Sequence, residues 1–273
     1  MRMDVLQAIV LGIVQGLTEF APVSSSAHLV VVPWLFGWSE PSLTFDTVLH
    51  LGTLAAVLAV FWRDIWLVVG DWLRSLKPGG TSTPYSRLGW LLIVGTIPGA
   101  LLGYLLKQKF EELFSKPLIV GLLLVGTAAF LVIGEQIGKR QKSAEQLSFL
   151  NTIWIGLSQA AAIAPGISRS GATMSMGLVL GLDRAEAARF SFLLSVPIIL
   201  GAAASQLKDI VKAGGSHSME ASLAIGFLAA AISGYLCINF LLGFVRRRSF
   251  YAFSCYCLVL GIVVVGLGLA GLR

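Results

Sequence analysis

The sequence predicts an all-α polytopic membrane protein: two inverted repeats, each a re-entrant helix pair followed by three transmembrane helices. Three observations carry this expectation. Of 273 residues, 56% are hydrophobic and only 12% charged, with a mean hydropathy of +0.84, whereas soluble domains carry about 25% charged residues. Two polar stretches, residues 15–28 and 165–173, sit between apolar runs shorter than the roughly 20 residues that a spanning helix needs. The order of elements around the first polar stretch then recurs around the second.

Arg2 and the apolar run Val5–Val14 have the outline of a signal peptide. Asp4 precedes the run, Gln15 and Glu19 follow it and no A-x-A cleavage site appears, so the segment is kept as part of the fold. Residues 4–38 form the first re-entrant pair, because Leu29–Trp38, at roughly 1.5 Å per residue, reaches only about half-way across a bilayer. Spans are expected at about 44–66, 86–106 and 117–135, the first two separated by the Pro-, Gly-, Ser- and Thr-rich loop Pro78–Ser86. Residues 1–137 make the first repeat, and 138–150 are a charged linker. Residues 151–273 make the second repeat, with a re-entrant pair at 151–182 and spans at about 189–207, 222–244 and 250–270, all in one integral membrane domain.

Individual residues support the duplication. At an offset of 144, Gly12, Gln15, Ser24 and Ser26 fall on Gly156, Gln159, Ser168 and Ser170. At 145, Phe45, Leu49, Asp64 and Ile65 fall on Phe190, Leu194, Asp209 and Ile210. Three crossings per half invert the second half relative to the first, and such folds carry their sites near the midplane where broken helices meet.

Net charge is +6 and the pI about 9.4, yet the basic residues lie in short clusters between apolar segments, as topology signals do, so no nucleic-acid partner is expected. Leaving Arg169 aside, twelve Lys and Arg fall on one face and seven on the other. The richer face should be cytoplasmic, which puts both termini and the mouth of the first re-entrant pair on the outer side of the membrane. Cys237, Cys255 and Cys257 match no zinc or redox spacing and read as small core residues. Most tryptophans sit near span ends, as an interfacial belt.

The chemistry is concentrated at the two tips. Pro22 followed by Ser24, Ser25 and Ser26, and Pro165-Gly166 followed by Ser168, Arg169 and Ser170, both read as helix starts with a hydroxyl cap. Two such N-termini meeting at the midplane would present free N–H groups, hydroxyls and a guanidinium fork to phosphate oxygens. Ser25 and His28 share a face at i and i+3, which sets a hydroxyl beside a base or proton donor. Glu19 could hold a divalent cation or activate water. The competing structural reading makes Glu19 no more than the partner of Arg169. His50 reads as an interfacial structural residue, Asp46 as a carboxylate better placed near a cation, and His217 as a solvated loop residue.

At these motifs, Gln15-Gly-Leu-Thr-Glu19-Phe-Ala-Pro22-Val-Ser24-Ser25-Ser26-Ala-His28 and Pro165-Gly166-Ile-Ser168-Arg169-Ser170-Gly171-Ala-Thr173, the sequence resembles the undecaprenyl-diphosphatase, or bacitracin-resistance, family along essentially its whole length. The resemblance implies a hydrolase of the bacterial inner membrane, its site open to the periplasm, converting a polyprenyl diphosphate lipid to its monophosphate for envelope synthesis, with a divalent cation, Mg or Ca, as cofactor. It implies Glu19, Ser25, His28 and Arg169 as catalytic residues, with Glu19 on the metal. Ser24, Ser26, Ser168, Ser170 and Thr173 would bind substrate among membrane lipids. A homodimer stays among the expectations for assembly. The preferred mechanism has Ser25 or water attack the terminal phosphate, with His28 handling the proton. Where the family's first motif accepts Glu or Gln, this chain has Gln15, which leaves one carboxylate. The alternative function is a transporter or flippase of an isoprenyl phosphate lipid on the same architecture. The two-histidine membrane phosphatases are a poorer match, because Ser175 stands where their Ser-Arg motif requires histidine.

Overall fold

The computed structural model describes residues 4–106, 112–113, 116–212 and 221–271, with backbone alone for 207–212. His217 and the side chain of Asp209 therefore lie outside the described residues. Eleven α-helices are described: α1 (Val5–Phe20), α2 (Ser25–Phe36), α3 (Leu43–Val60), α4 (Trp62–Ser75), α5 (Pro84–Leu105), α6 (Pro117–Ile137), α7 (Phe149–Ala161), α8 (Arg169–Val179), α9 (Arg184–Lys212), α10 (Ala221–Val245) and α11 (Tyr251–Leu269). No strand occurs among the described residues beyond an isolated bridge between Lys142 and Leu182. Six helices, α3, α5, α6, α9, α10 and α11, are long and apolar enough to cross a membrane, so the chain is a multi-pass membrane protein.

Four of the short helices stand in two pairs, α1–α2 and α7–α8, and each pair turns at one of the polar tips. The 16 residues of α1 and the 12 of α2 rise only about 24 and 18 Å. The expected run 44–66 is split at Phe61, the C-cap of α3. Beyond it Arg63, Asp64, Asp71 and Arg74 make α4 amphipathic, so this helix packs on α5, with Trp72 set edge-on to Trp90, instead of extending the span.

Between apolar helices in lipid, close approach of small residues replaces the hydrophobic effect as the source of packing. α1 lies along α10, and a Cβ at Gly12 would sit 2.7 Å from the carbonyl of Gly226. α7 lies along α5, and a Cβ at Gly156 would sit 2.5 Å from the carbonyl of Gly95. The main core gathers around Phe192, which meets Phe20 edge-on at 5.4 Å and Phe61 at 6.2 Å, and so ties α1 and α3 to α9.

One end of the bundle is bound by buried charge. Glu135, 4% exposed near the end of α6, takes two hydrogen bonds from Arg184 at 2.7 Å, one from Arg140 at 2.5 Å and one from the Phe250 amide at 2.8 Å. Nearby, Arg189 pairs with Asp64 and reaches Glu145 at 3.5 Å, and Arg87 donates to the carbonyls of Glu145 and Leu147. These contacts join α4, α5 and α6 to the linker and to the starts of α9 and α11.

Candidate active site

The first tip is a helix start built on Ser24. Its hydroxyl accepts from the Ala27 amide and lies 3.1 Å from the Ser26 hydroxyl, while its backbone holds φ at 70°, a region that a non-glycine residue enters at a cost. The second tip repeats the cap 144 residues on: the Ser168 hydroxyl accepts from the Gly171 amide at 3.0 Å and lies 3.1 Å from that of Ser170. Thr127 of α6 pins this turn, accepting from the Ser168 amide and donating to the Gly166 carbonyl, both at 2.9 Å. Gly166 takes φ of 112°, and a Cβ there would strike the Val120 carbonyl at 2.6 Å, so glycine is required for the turn to seat against α6.

The tips meet at Glu19, buried at the end of α1. Its Oε2 accepts from the Ser25 hydroxyl at 2.5 Å and from Gln15 Nε2 at 3.0 Å, and its Oε1 accepts from Arg169 at 2.7 Å. Arg169 uses one terminal nitrogen for this pair; the other, Nη1, is buried and finds no hydrogen-bond partner among the described residues. These groups face a cavity of about 590 Å³, to which Ser24, Ser25, Ser26, Ser168, Glu19 and Arg169 all contribute. One wall is polar, with two helix N-termini and a half-committed guanidinium. The other is aliphatic and includes Ile163, Ile167 and Ile198. Such a cavity can take the charged end of an amphiphile, with oxyanions at the N-termini and Arg169, and hold a hydroxyl nucleophile beside a carboxylate.

His28, Ser170 and Thr173 do not line the cavity. The His28 ring is tied at both nitrogens, Nδ1 to the Ser24 carbonyl and Nε2 to the Tyr256 hydroxyl, each at 2.7 Å, and it stacks on the Tyr256 ring. The sequence expectation paired Ser25 with His28; the structure pairs Ser25 with Glu19. The physical reason is the turn itself: the chain doubles back between Ala21 and Ser24 and brings Ser25 over the end of α1, while His28 turns toward α11. Ser170 donates to the Ala21 carbonyl, joining one tip to the other. Thr173 donates to the Arg169 carbonyl and meets Ser191, which steadies the helix that carries Arg169.

Three cavity residues were underrated or missed. His50, read as structural, lines the cavity with Nε2 3.8 Å from Glu19 Oε2 and Nδ1 held by the Asp46 carbonyl at 2.8 Å. Asp46 lines it too, with Oδ1 buried and unpartnered; its i,i+4 spacing from His50 was the only signal in the sequence. Gln206, which had no signal, reaches the cavity from α9.

Among the described residues no group of three His, Cys, Asp or Glu side chains is close enough to hold a metal ion unaided. Hard cations such as Mg²⁺ are commonly held by one or two carboxylates with substrate phosphates and water completing the shell. Of the carboxylates that line this cavity, Asp46 keeps a buried oxygen free while both Glu19 oxygens already accept hydrogen bonds, so the lining fits that mode through Asp46.

Comparison with known proteins places the chain in a family. A family profile described as "Bacitracin resistance protein BacA" matches residues 8–263. A protein named undecaprenyl-diphosphatase from Pelotomaculum thermopropionicum is 46% identical over 268 residues, covering 98% of each chain. Proteins of the same name from Desulforudis audaxviator and Moorella thermoacetica are also 46% identical, covering 98% and 96% of this chain and 99% and 97% of their own. Since the profile takes in both tips and the relatives match from end to end, the chain belongs to the bacitracin resistance protein family, whose relatives named here are undecaprenyl-diphosphatases.

Proposed function

We propose that this chain is an integral membrane phosphatase that hydrolyses undecaprenyl diphosphate to undecaprenyl phosphate and inorganic phosphate, returning the lipid carrier to peptidoglycan synthesis and lowering sensitivity to bacitracin. The observation that carries this reading is the Ser25 hydroxyl 2.5 Å from a carboxylate that is itself clamped by Arg169, in a cavity with a polar floor and an apolar wall.

Ser25 Oγ attacks the terminal phosphorus as its proton passes to Glu19. The new O–P bond replaces the bond to the bridging oxygen, which departs on the lipid monophosphate. Water then attacks the phosphoserine phosphorus; the bond to Ser25 Oγ breaks as Glu19 returns the serine's proton to it, and the protons of the water stay on the released phosphate, so both side chains end as they began. Arg169 Nη1, the Ser26 hydroxyl and the helix N-termini receive the equatorial oxygens, supplying charge stabilisation where phosphoryl transfer develops it. His28 steadies the first turn of α2 against Tyr256.

The cofactor is a divalent cation, Mg or Ca. The sequence expectation assigned it to Glu19, whose oxygens already carry three donors; Asp46, with a free buried oxygen, is the carboxylate better able to hold it. Bound there, it would neutralise diphosphate charge. Two further points belong to this reading. The mirrored packing of α1 on α10 and α7 on α5 supports the inverted repeat, and the charge asymmetry supports periplasmic termini and a periplasmic mouth. Transport of an isoprenyl phosphate is disfavoured by the hydrolase names of the relatives.

Purified protein in detergent, given undecaprenyl diphosphate and Mg²⁺, should release phosphate and stop when EDTA is added. Absence of release at saturating substrate and cation would overturn the proposal. Asp46→Asn should raise the cation concentration needed for half-maximal rate by about tenfold or more, whereas an unchanged cation dependence would remove Asp46 from that role.

A further inference from the structure

The two steps of the reaction make unequal demands on proton carriers. In the first, Glu19 takes the Ser25 proton; in the second it returns that proton to Ser25 Oγ, so it cannot also draw one from the attacking water. Another acceptor has to stand within hydrogen-bond reach of that water. His28 has both ring nitrogens bonded outside the cavity. Among the acceptors that line the cavity, Asp46 is the carboxylate given to the cation, and Glu40 is exposed in the loop before α3.

His50 has the required form. Its Nδ1 lies 2.8 Å from the Asp46 carbonyl oxygen. A carbonyl only accepts, so the neutral ring carries its proton on Nδ1 and leaves a lone pair on Nε2. That bond, one helical turn back along α3, also fixes the ring's orientation. Nε2 stands 3.8 Å from Glu19 Oε2, beyond hydrogen-bond distance, so the lone pair is uncommitted. The side chain is 36% exposed and lines the cavity, where water reaches it. Ser25 Oγ lies 2.5 Å from the same Glu19 oxygen, which keeps Ser25 and His50 within reach of one phosphoryl group.

We propose that His50 is a further catalytic residue, the general base of the second step alone. The inference rests on the phosphatase reading above. Nε2 takes a proton from the water as its oxygen bonds to the phosphoserine phosphorus, and the bond from phosphorus to Ser25 Oγ breaks as Glu19 returns the serine's proton. His50 then passes its proton to an oxygen of the departing phosphate. The ring ends neutral, Glu19 ends as a carboxylate, and both protons of the water leave with the phosphate.

The test follows undecaprenyl phosphate, free phosphate and protein-bound phosphate after undecaprenyl diphosphate and Mg²⁺ are mixed with the protein in detergent. It compares wild type with His50→Ala and with His50→Gln, which keeps a polar side chain but no base. Both variants should form a single equivalent of undecaprenyl phosphate at the wild-type rate, keep the phosphoryl group on Ser25, and release free phosphate about a hundredfold or more slowly. The burst of lipid product also shows that the variants are folded with Glu19, Ser25 and Arg169 in place. Free phosphate released at the wild-type rate by either variant, or a slowed release without phosphorylated protein, would overturn the role of His50. Wild-type protein that forms neither product would overturn the phosphatase reading itself.

Discussion

Ser24 combines a strained backbone, φ of 70°, with a side chain that caps α2, and the two effects can be separated. Ser24→Ala keeps the strain and loses the cap, which should cost about 1 kcal/mol. Ser24→Gly loses the cap but relaxes the backbone, so it should unfold at a higher temperature than the alanine variant when both are melted in detergent. Ser25→Ala removes the proposed nucleophile and should lower phosphate release by at least about a thousandfold; near-normal turnover would transfer the attack to water. Glu19, Ser25 and Arg169 were legible in the sequence because carboxylate, hydroxyl and guanidinium are costly inside apolar runs and appeared at mirrored positions. The true orientation of His28 was not, because its i+3 spacing from Ser25 says nothing about Tyr256, 228 residues away. His50 was undervalued because a lone imidazole at the start of a span has no local pattern to distinguish a cavity from an interface.

At the level of helices, packing rests on small residues whose roles differ with their neighbours. A Cβ at Gly156 would lie 2.5 Å from the Gly95 carbonyl and 2.9 Å from Pro98, so Gly156→Val should force α7 from α5, destabilise the protein by about 2 kcal/mol or more and impair the second tip. Gly70, in the middle of α4, has no atom within 4 Å of its virtual Cβ. Gly70→Ala should therefore stabilise by about 0.5–1 kcal/mol, seen as a raised melting temperature. The spanning helices were readable from apolar length alone. The break at Phe61 was not, since Trp62 and Ile65 through Val69 continue the apolar count, and only the amphipathic placement of Arg63, Asp64, Asp71 and Arg74 marks α4 as a separate element lying against α5.

Across the whole molecule, Glu135 unites the ends of three segments far apart in sequence, Arg140, Arg184 and the Phe250 amide. Glu135→Gln would leave two guanidinium groups poorly matched in a buried place and should destabilise by about 3 kcal/mol, measurable as a large drop in melting temperature with little change in KM of whatever remains folded. The ion pair at the tips has a different consequence, one of timing. Glu19 is made 150 residues before Arg169, and at about 5–20 residues per second it waits roughly 8–30 s for its counter-ion. An unpaired carboxylate at bilayer depth costs about 2.5–3.5 kcal/mol, so the first helix pair is held near the water interface until the second emerges. The candidate site should thus be among the last parts of the newborn chain to sink into the membrane, and a protein truncated before Arg169 should fail to bury its own first motif, as accessibility of that motif to a water-soluble label would show.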